Sequence, residues 1–242
     1  MSKVLLEIAA FNIEAALNAL AAGADRIEFC ENPMEGGTTP SYGSLKTLIH
    51  KTKTPVFPII RPRGGDFLYS DDEFDSIKSD LLLVKDLGYP GAVIGLLKKD
   101  GHIDFDRTAA LVSVAGNMEI TFHRAFDRCI DPLKGLEDII QTGCKRILTS
   151  GQVPHVSNAL PLITQLVNNA NGRIIIMPGS GVRANNIADI ISSTGVMEIH
   201  SSARKNYPSK MLFSPASMQE QMMFTGIDEA EIMAMKKAIT AL

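Results

Sequence analysis

Val4-Leu-Leu-Glu-Ile-Ala9, then Asn12-Ile-Glu-Ala-Ala-Leu-Asn-Ala-Leu20, then Gly23 and Arg26-Ile-Glu-Phe-Cys30, spells one strand–helix–strand unit. Ile13, Ala16, Leu17 and Leu20 fall on one helical face behind an Asn12 cap, and Gly23 closes the helix before the next strand. The pattern then repeats. Strand-like segments follow at Val56–Arg61, Gly91–Leu97, Glu119–Arg124, Arg146–Ser150, Arg173–Met177 and Glu198–Ser202. Their starts lie about 28 residues apart, the length a strand with its crossover helix requires. Ser70 with Glu73 forms a capping box before a helix, Asp131-Pro132 is a cap with a first-turn proline, and glycines 88, 143 and 195 close further helices. Eight such units without a G-x-G-x-x-G after the first strand favour closure over an open dinucleotide-binding sheet. The expected fold is a single-domain α/β protein, a parallel (β/α)₈ TIM barrel over residues 1–205. Residues 206–242 are expected to be an extension: an irregular stretch at 206–224, then a terminal helix with Ile232, Met235, Ile239 and Leu242 on one stripe. That helix would pack on the barrel or on a neighbouring subunit.

Composition narrows the function classes. The chain has 242 residues, 45% hydrophobic and 21% charged, enough for one large core. No apolar run approaches the roughly 20 residues of a membrane span, and the N-terminus enters a strand pattern with no targeting signal. A formal charge of −3 with mixed signs offers no basic stripe, so neither nucleic acid nor a membrane is an expected partner. Three cysteines, Cys30, Cys129 and Cys144, form no staple pattern, which suits a reducing cytoplasm.

Alternation along the strands marks the site. Leu6 and Ile8 oppose Glu7; Ile27 and Phe29 oppose Glu28 and Cys30; Ile120 and Phe122 oppose Thr121 and His123; Glu198, His200 and Ser202 share a face. The apolar set must meet the helical shell, so the polar set points into the barrel. Strands 8, 1 and 2 are neighbours in a closed barrel, which brings Glu7, Glu28 and Glu198 together. Such carboxylates repel unless a cation joins them, and Arg61 or a metal is the candidate. One interior Glu or His is often a satisfied structural group. Six at one mouth are expensive to bury for packing alone, which makes Glu7, Glu28, Arg61, His123, Glu198 and His200 the candidate catalytic residues.

The loops after the strands add ligand-binding candidates. Glu35-Gly-Gly-Thr-Thr-Pro-Ser41 and Arg61-Pro-Arg-Gly-Gly-Asp-Phe67 combine paired glycines with arginines suited to an oxyanion. Pro178-Gly-Ser-Gly181 and His200-Ser-Ser-Ala-Arg204 occupy the usual phosphate position of such barrels, although a lone G-S-G also makes an ordinary tight turn. Arg63, Gly179, Ser180, Gly181 and Ser202 are therefore the candidate cofactor- or ligand-holding residues.

In series, Asp25-Arg-Ile-Glu28, Glu35-Gly-Gly-x-Thr-Pro-Ser41, Ile60-Arg-Pro-Arg-Gly-Gly-Asp-Phe67, Thr121-Phe-His-Arg-Ala-Phe-Asp127, Leu148-Thr-Ser-Gly151 and Glu198-x-His200 resemble the CutC family of copper-homeostasis proteins. The likeness runs from about residue 3 to 205, and it departs at Pro-Gly-Ser-Gly, where the family usually carries a further glycine. The resemblance implies a barrel, a cytoplasmic location, a homo-oligomer (dimer or tetramer), a role in copper tolerance and binding of Cu(I). Cu(I) favours thiolate, thioether and imidazole, which makes Cys30, His123 and His200 the candidate metal ligands. Cys129 could reach the mouth; Cys144 belongs at the opposite end. Met177 ends strand 7, and Met218, Met222 and Met223 cluster in the tail, where they read as ordinary apolar filler. Two readings stand side by side: a copper-binding homeostasis protein, and an enzyme (lyase, isomerase or hydrolase) acting on a small anionic or phosphorylated compound. A pure scaffold would leave the interior charges unexplained.

Overall fold

A computed structural model describes residues 4–215, 217–219 and 222–242. Among them β1 (Leu5–Ala10), α1 (Ile13–Ala21), β2 (Arg26–Phe29), α2 (Tyr42–Leu48), β3 (Val56–Pro58) and α3 (Asp71–Asp86) form the first half of the barrel. The second half is β4 (Gly91–Ile94), α4 (Phe105–Ala115), β5 (Glu119–Phe122), α5 (Pro132–Thr142), β6 (Arg146–Thr149), α6 (Leu160–Ala170), β7 (Ile175–Pro178), α7 (Ile187–Thr194) and β8 (Glu198–Ser201). All ladders between these eight strands are parallel, in the orders β3-β2-β1-β8 and β4-β5-β6-β7. The Ile59–Val93 bridge, with Ile60 N–H donating to Val93 O at 2.8 Å, closes the seam between β3 and β4. The expected parallel (β/α)₈ barrel is the observed fold.

Local chemistry sets the elements. Asn12 Oδ1 accepts the Ala15 N–H, Ser70 and Glu73 form the full capping box of α3, and Asp131 caps α5 with Pro132 in its first turn. Gly143 and Gly195 end α5 and α7 in the left-handed conformation that a Cβ would strain. The strands are shorter than the sequence pattern suggests, because the chain leaves the ladder at the barrel rim and turns into the site loops. The main core lies between strands and helices: Leu6, Ile8, Ile27, Phe122, Ile147 and Ile199 are fully buried there or nearly so.

The extension differs from its expectation. The stretch 206–224, expected to be irregular, contains parts of a hairpin in which β9 (Arg204–Pro208) pairs antiparallel with β10 (Met223–Ile227); alternation alone did not announce it because its strands are mostly exposed. After it, α8 (Glu229–Thr240) buries Ile232, Met235 and Ile239 in the main core, while Leu242 stays exposed. Lys236 pairs with Asp25 at 2.6 Å, and Glu231 accepts the Ala184 N–H at 2.7 Å, so α8 is held against α1 and the loop before α7. Among the described residues no helix is long and apolar enough to cross a membrane.

Candidate functional site

Inside the barrel a ladder of alternating charge rises toward the strand C-termini. At its foot Arg146 donates to Glu119 at 2.7 Å and to Glu198 at 3.0 Å. Glu198 also accepts from Arg26, and Arg26 in turn bonds Glu7. Glu7 Oε1 meets His200 Nδ1 at 2.8 Å, and the other ring nitrogen of His200 stands 3.8 Å from Glu28 Oε2. The register makes this inevitable: Glu7 lies opposite Arg26 on one side and His200 on the other. The cation joining the carboxylates is therefore Arg26, with Arg146 below it. Arg61, expected in that place, instead donates to the carbonyls of Glu35, Gly37 and Gly65, because it sits one layer too high and its guanidinium turns toward the loops.

This ladder sets the protonation states. Burial would raise the Glu7 pKa, but the Arg26 charge and the His200 hydrogen bond outweigh it and bring it from 4.5 to about 2. Burial would lower that of His200, yet the Glu7 hydrogen bond and the two carboxylate charges raise it. Burial pushes the Glu28 carboxyl up, against the opposing charge of His200. Glu28 is thus a carboxyl of raised basicity beside an imidazole whose pKa is itself raised, an arrangement suited to proton transfer.

Above the ladder opens a cavity of about 500 Å³. Glu28, Arg61, His123 and His200 line it, as do Ser180, Gly181 and Ser202 from the loops after β7 and β8. Glu7 and Glu198 are buried beneath it rather than in its wall. Gly179 also lies behind the wall, where a Cβ would stand 2.6 Å from Leu148 Cδ1 and 3.2 Å from His200 Cδ2. Arg63 points elsewhere: it bonds Glu73 at 2.5 Å and Asp66 at 2.9 Å, and its half-exposed side chain serves the start of α3.

His123 is the most constrained residue of the wall. Its Nδ1 accepts the Ala125 N–H at 3.1 Å, its ring lies 5.0 Å from that of Phe67, and Nε2 has no hydrogen-bond partner among the described residues. Burial, then the neighbouring charge of Arg61, depresses its pKa to about 3, so the imidazole is neutral. The ring rests on Gly95, where a Cβ would stand 2.3 Å from Cε1 and Nδ1.

The soft donors do not converge. Cys30 packs with Phe57, Ile59 and Val93, and burial with the Glu28 charge pushes its thiol well above the ordinary value. Burial likewise holds Cys129 at about 12 and Cys144 at about 11. Among the described residues no three of His, Cys, Asp and Glu group as metal ligands, so the trio Cys30, His123 and His200 does not form the expected set. Met177 is buried, accepting from Arg26 at 3.3 Å, whereas Met218, Met222 and Met223 are exposed on the hairpin.

Sequence reasoning passed over several residues. Arg26 shares its strand face with Glu28, so parity alone was a sufficient signal for it, whereas Arg146 shares its face with apolar Leu148, which blurs that signal. Arg124, His155, Arg183 and Arg204 also line the cavity, but they lie in or border irregular loops whose periodicity carries no information.

The model of the CutC family matches residues 4–205. A CutC family protein of Proteus mirabilis is 51% identical over 213 residues, covering 88% of this chain and 84% of the relative. One from Erwinia tasmaniensis is 44% identical over 243 residues, covering 98% and 96%. The solved structure of CutC from Streptococcus agalactiae superposes with a TM-score of 0.78 at 34% identity, covering 82% of this chain and 98% of that one. Phosphoribosyl anthranilate isomerase from Thermotoga maritima, at 13% identity and a TM-score of 0.61, shares the barrel fold. With its matched motifs lining or supporting one barrel mouth, this chain belongs to the CutC family.

Proposed function

We propose that the barrel mouth binds a small anionic compound and performs proton transfer on it, with Glu28 as base and His200 holding that carboxylate charged. The observation that carries this reading is the charge of the wall: Arg61, Arg183 and Arg204 line the cavity together with an Arg124 paired with Asp127, and Glu28 is its one carboxylate among the described residues. A basic rim draws an anion in, and a raised carboxyl beside it is the group poised to exchange a proton. Ser180, Gly181 and Ser202 are placed to meet a phosphate if the compound carries one. Arg61→Ala is a poor probe, because Arg61 ties three loop carbonyls together. The test is a thermal-shift screen of inorganic phosphate and small carboxylates on the wild type, Arg183→Ala and Arg204→Ala. Anions should raise the wild-type Tm and lose that effect in the variants; no response in the wild type overturns the reading.

Copper enters through the family. A role in copper homeostasis, with Cu(I) held by Cys30, His123 and His200, is the second reading, together with a cytoplasmic homo-oligomer. The donor set argues against that ligand trio: the thiol is protonated in an apolar niche, and His123 spends Nδ1 on a backbone N–H. No step is derived through copper. Competition with a Cu(I) chelator on the wild type and Cys30→Ser tests it; equal affinities would remove Cys30 from any copper site.

A further inference from the structure

His123 reaches the mouth with an unspent donor. Its Nδ1 accepts a backbone N–H, so the ring carries its one proton on Nε2. That Nε2 has no partner among the described residues, in a side chain only 4% exposed. The ring cannot swing away to find one, being held by the Gly95 backbone on one side and Phe67 on the other. Arg61, by contrast, is spent on the protein: its terminal nitrogens are fixed on loop carbonyls, its side chain stands beside the Tyr69 hydroxyl, and its guanidinium lies over the same Phe67 ring at 5.0 Å. A buried donor such as His123 Nε2 in a native protein calls for an acceptor, and a fixed N–H beside a cavity defines a place for an oxygen that gains negative charge. Glu28 lines that same cavity.

Resting on the acid–base reading above, we propose that the compound is a carbonyl compound with a C–H group next to its C=O, and that His123 Nε2 receives the enolate oxygen while Glu28 removes the carbon-bound proton. The C–H bond breaks and its electron pair becomes the C=C bond. The π pair of the carbonyl moves to oxygen, and the proton passes to the Glu28 carboxylate. Returning the proton to carbon completes an isomerisation or exchange with no oxidant, reductant or co-reactant. His123 takes no proton in this step. It is a neutral hydrogen-bond donor, the form that best matches a developing oxyanion without competing for its proton.

The experiment uses full-length protein labelled with ¹⁵N-histidine, with acetohydroxamate as an enolate-like probe and inorganic phosphate as the anion control. The His123 resonances should show the Nε2–H form in the free protein, and acetohydroxamate should shift the Nε2–H signal. His123→Ala should weaken acetohydroxamate by about tenfold, the worth of one hydrogen bond to a charged group, and His123→Gln, which keeps an N–H, should restore much of it. Phosphate affinity should be unchanged in both, which also reports that they fold. A proton found on Nδ1, or acetohydroxamate binding equally to wild type and His123→Ala while phosphate binds all three, overturns the enolate site alone. Loss of response to both probes in the wild type overturns the anionic reading as well.

Discussion

Glu7 has no solvent exposure and answers two partners at once, Arg26 and His200. Glu7→Gln keeps the volume but takes from buried Arg26 and His200 the negative charge they share, so it should cost about 3–5 kcal/mol in urea unfolding. The same change should lower the His200 pKa, measurable by NMR titration, since Glu7 supplies the leading influence that raises it. Gly95 acts at the same scale. A methyl group there collides with the His123 ring, whose position is fixed by the Ala125 N–H. Gly95→Ala should therefore displace His123 and weaken acetohydroxamate while phosphate binding stays close to wild type. An unchanged His123 environment in that variant would show the ring to be less constrained than its neighbours imply.

Among the elements, α8 illustrates how local pattern and tertiary role part company. Its stripe was legible, but its place in the core came only with the fold. Ile232, Met235 and Ile239 are buried, each worth roughly 1.5–3 kcal/mol, a sum comparable with the total stability of a typical domain. A chain ending at residue 205 should then fail to fold, as read by circular dichroism. Shortening the outer part of the hairpin between Pro208 and Met223 should leave the Tm within a few degrees, because Met211, Leu212 and Phe213 there are exposed. A stable chain of 205 residues would show that the barrel closes without α8.

Across the whole molecule, the charge ladder makes stability depend on pH from both sides. The Glu7 pKa is depressed in the folded state, so its contribution is full above the ordinary value of 4.5 and is lost as pH falls toward about 2. His200 and Glu28 have raised folded values, and their contributions are full at low pH and are lost as pH rises past their ordinary values of 6.5 and 4.5. Stability should peak in mildly acidic solution and fall toward alkaline pH. Glu28→Gln removes the raised carboxyl, so its Tm relative to wild type should climb as pH rises above the ordinary carboxyl value of 4.5. A difference that stays flat over that range would mean that Glu28 does not titrate there.

What the sequence by itself determined is the barrel and the direction of its polar residues. Period-two alternation turns Glu7, Glu28, His123 and His200 inward, and eight strand–helix units about 28 residues apart without a dinucleotide-binding glycine motif favour a closed barrel over an open sheet. The partners of those residues were decided only by the tertiary structure. Strand register places Arg26 beside Glu7 and leaves Arg61 a layer higher, on loop carbonyls, and a shift of register alters such pairings without altering the alternation that a sequence displays. The cavity wall was hidden for a related reason. Arg183 comes from a loop without periodicity, Arg204 opens the hairpin, Gly95 and Arg124 stand just past the ends of β4 and β5, and only closure of the barrel brings them to one mouth around His123.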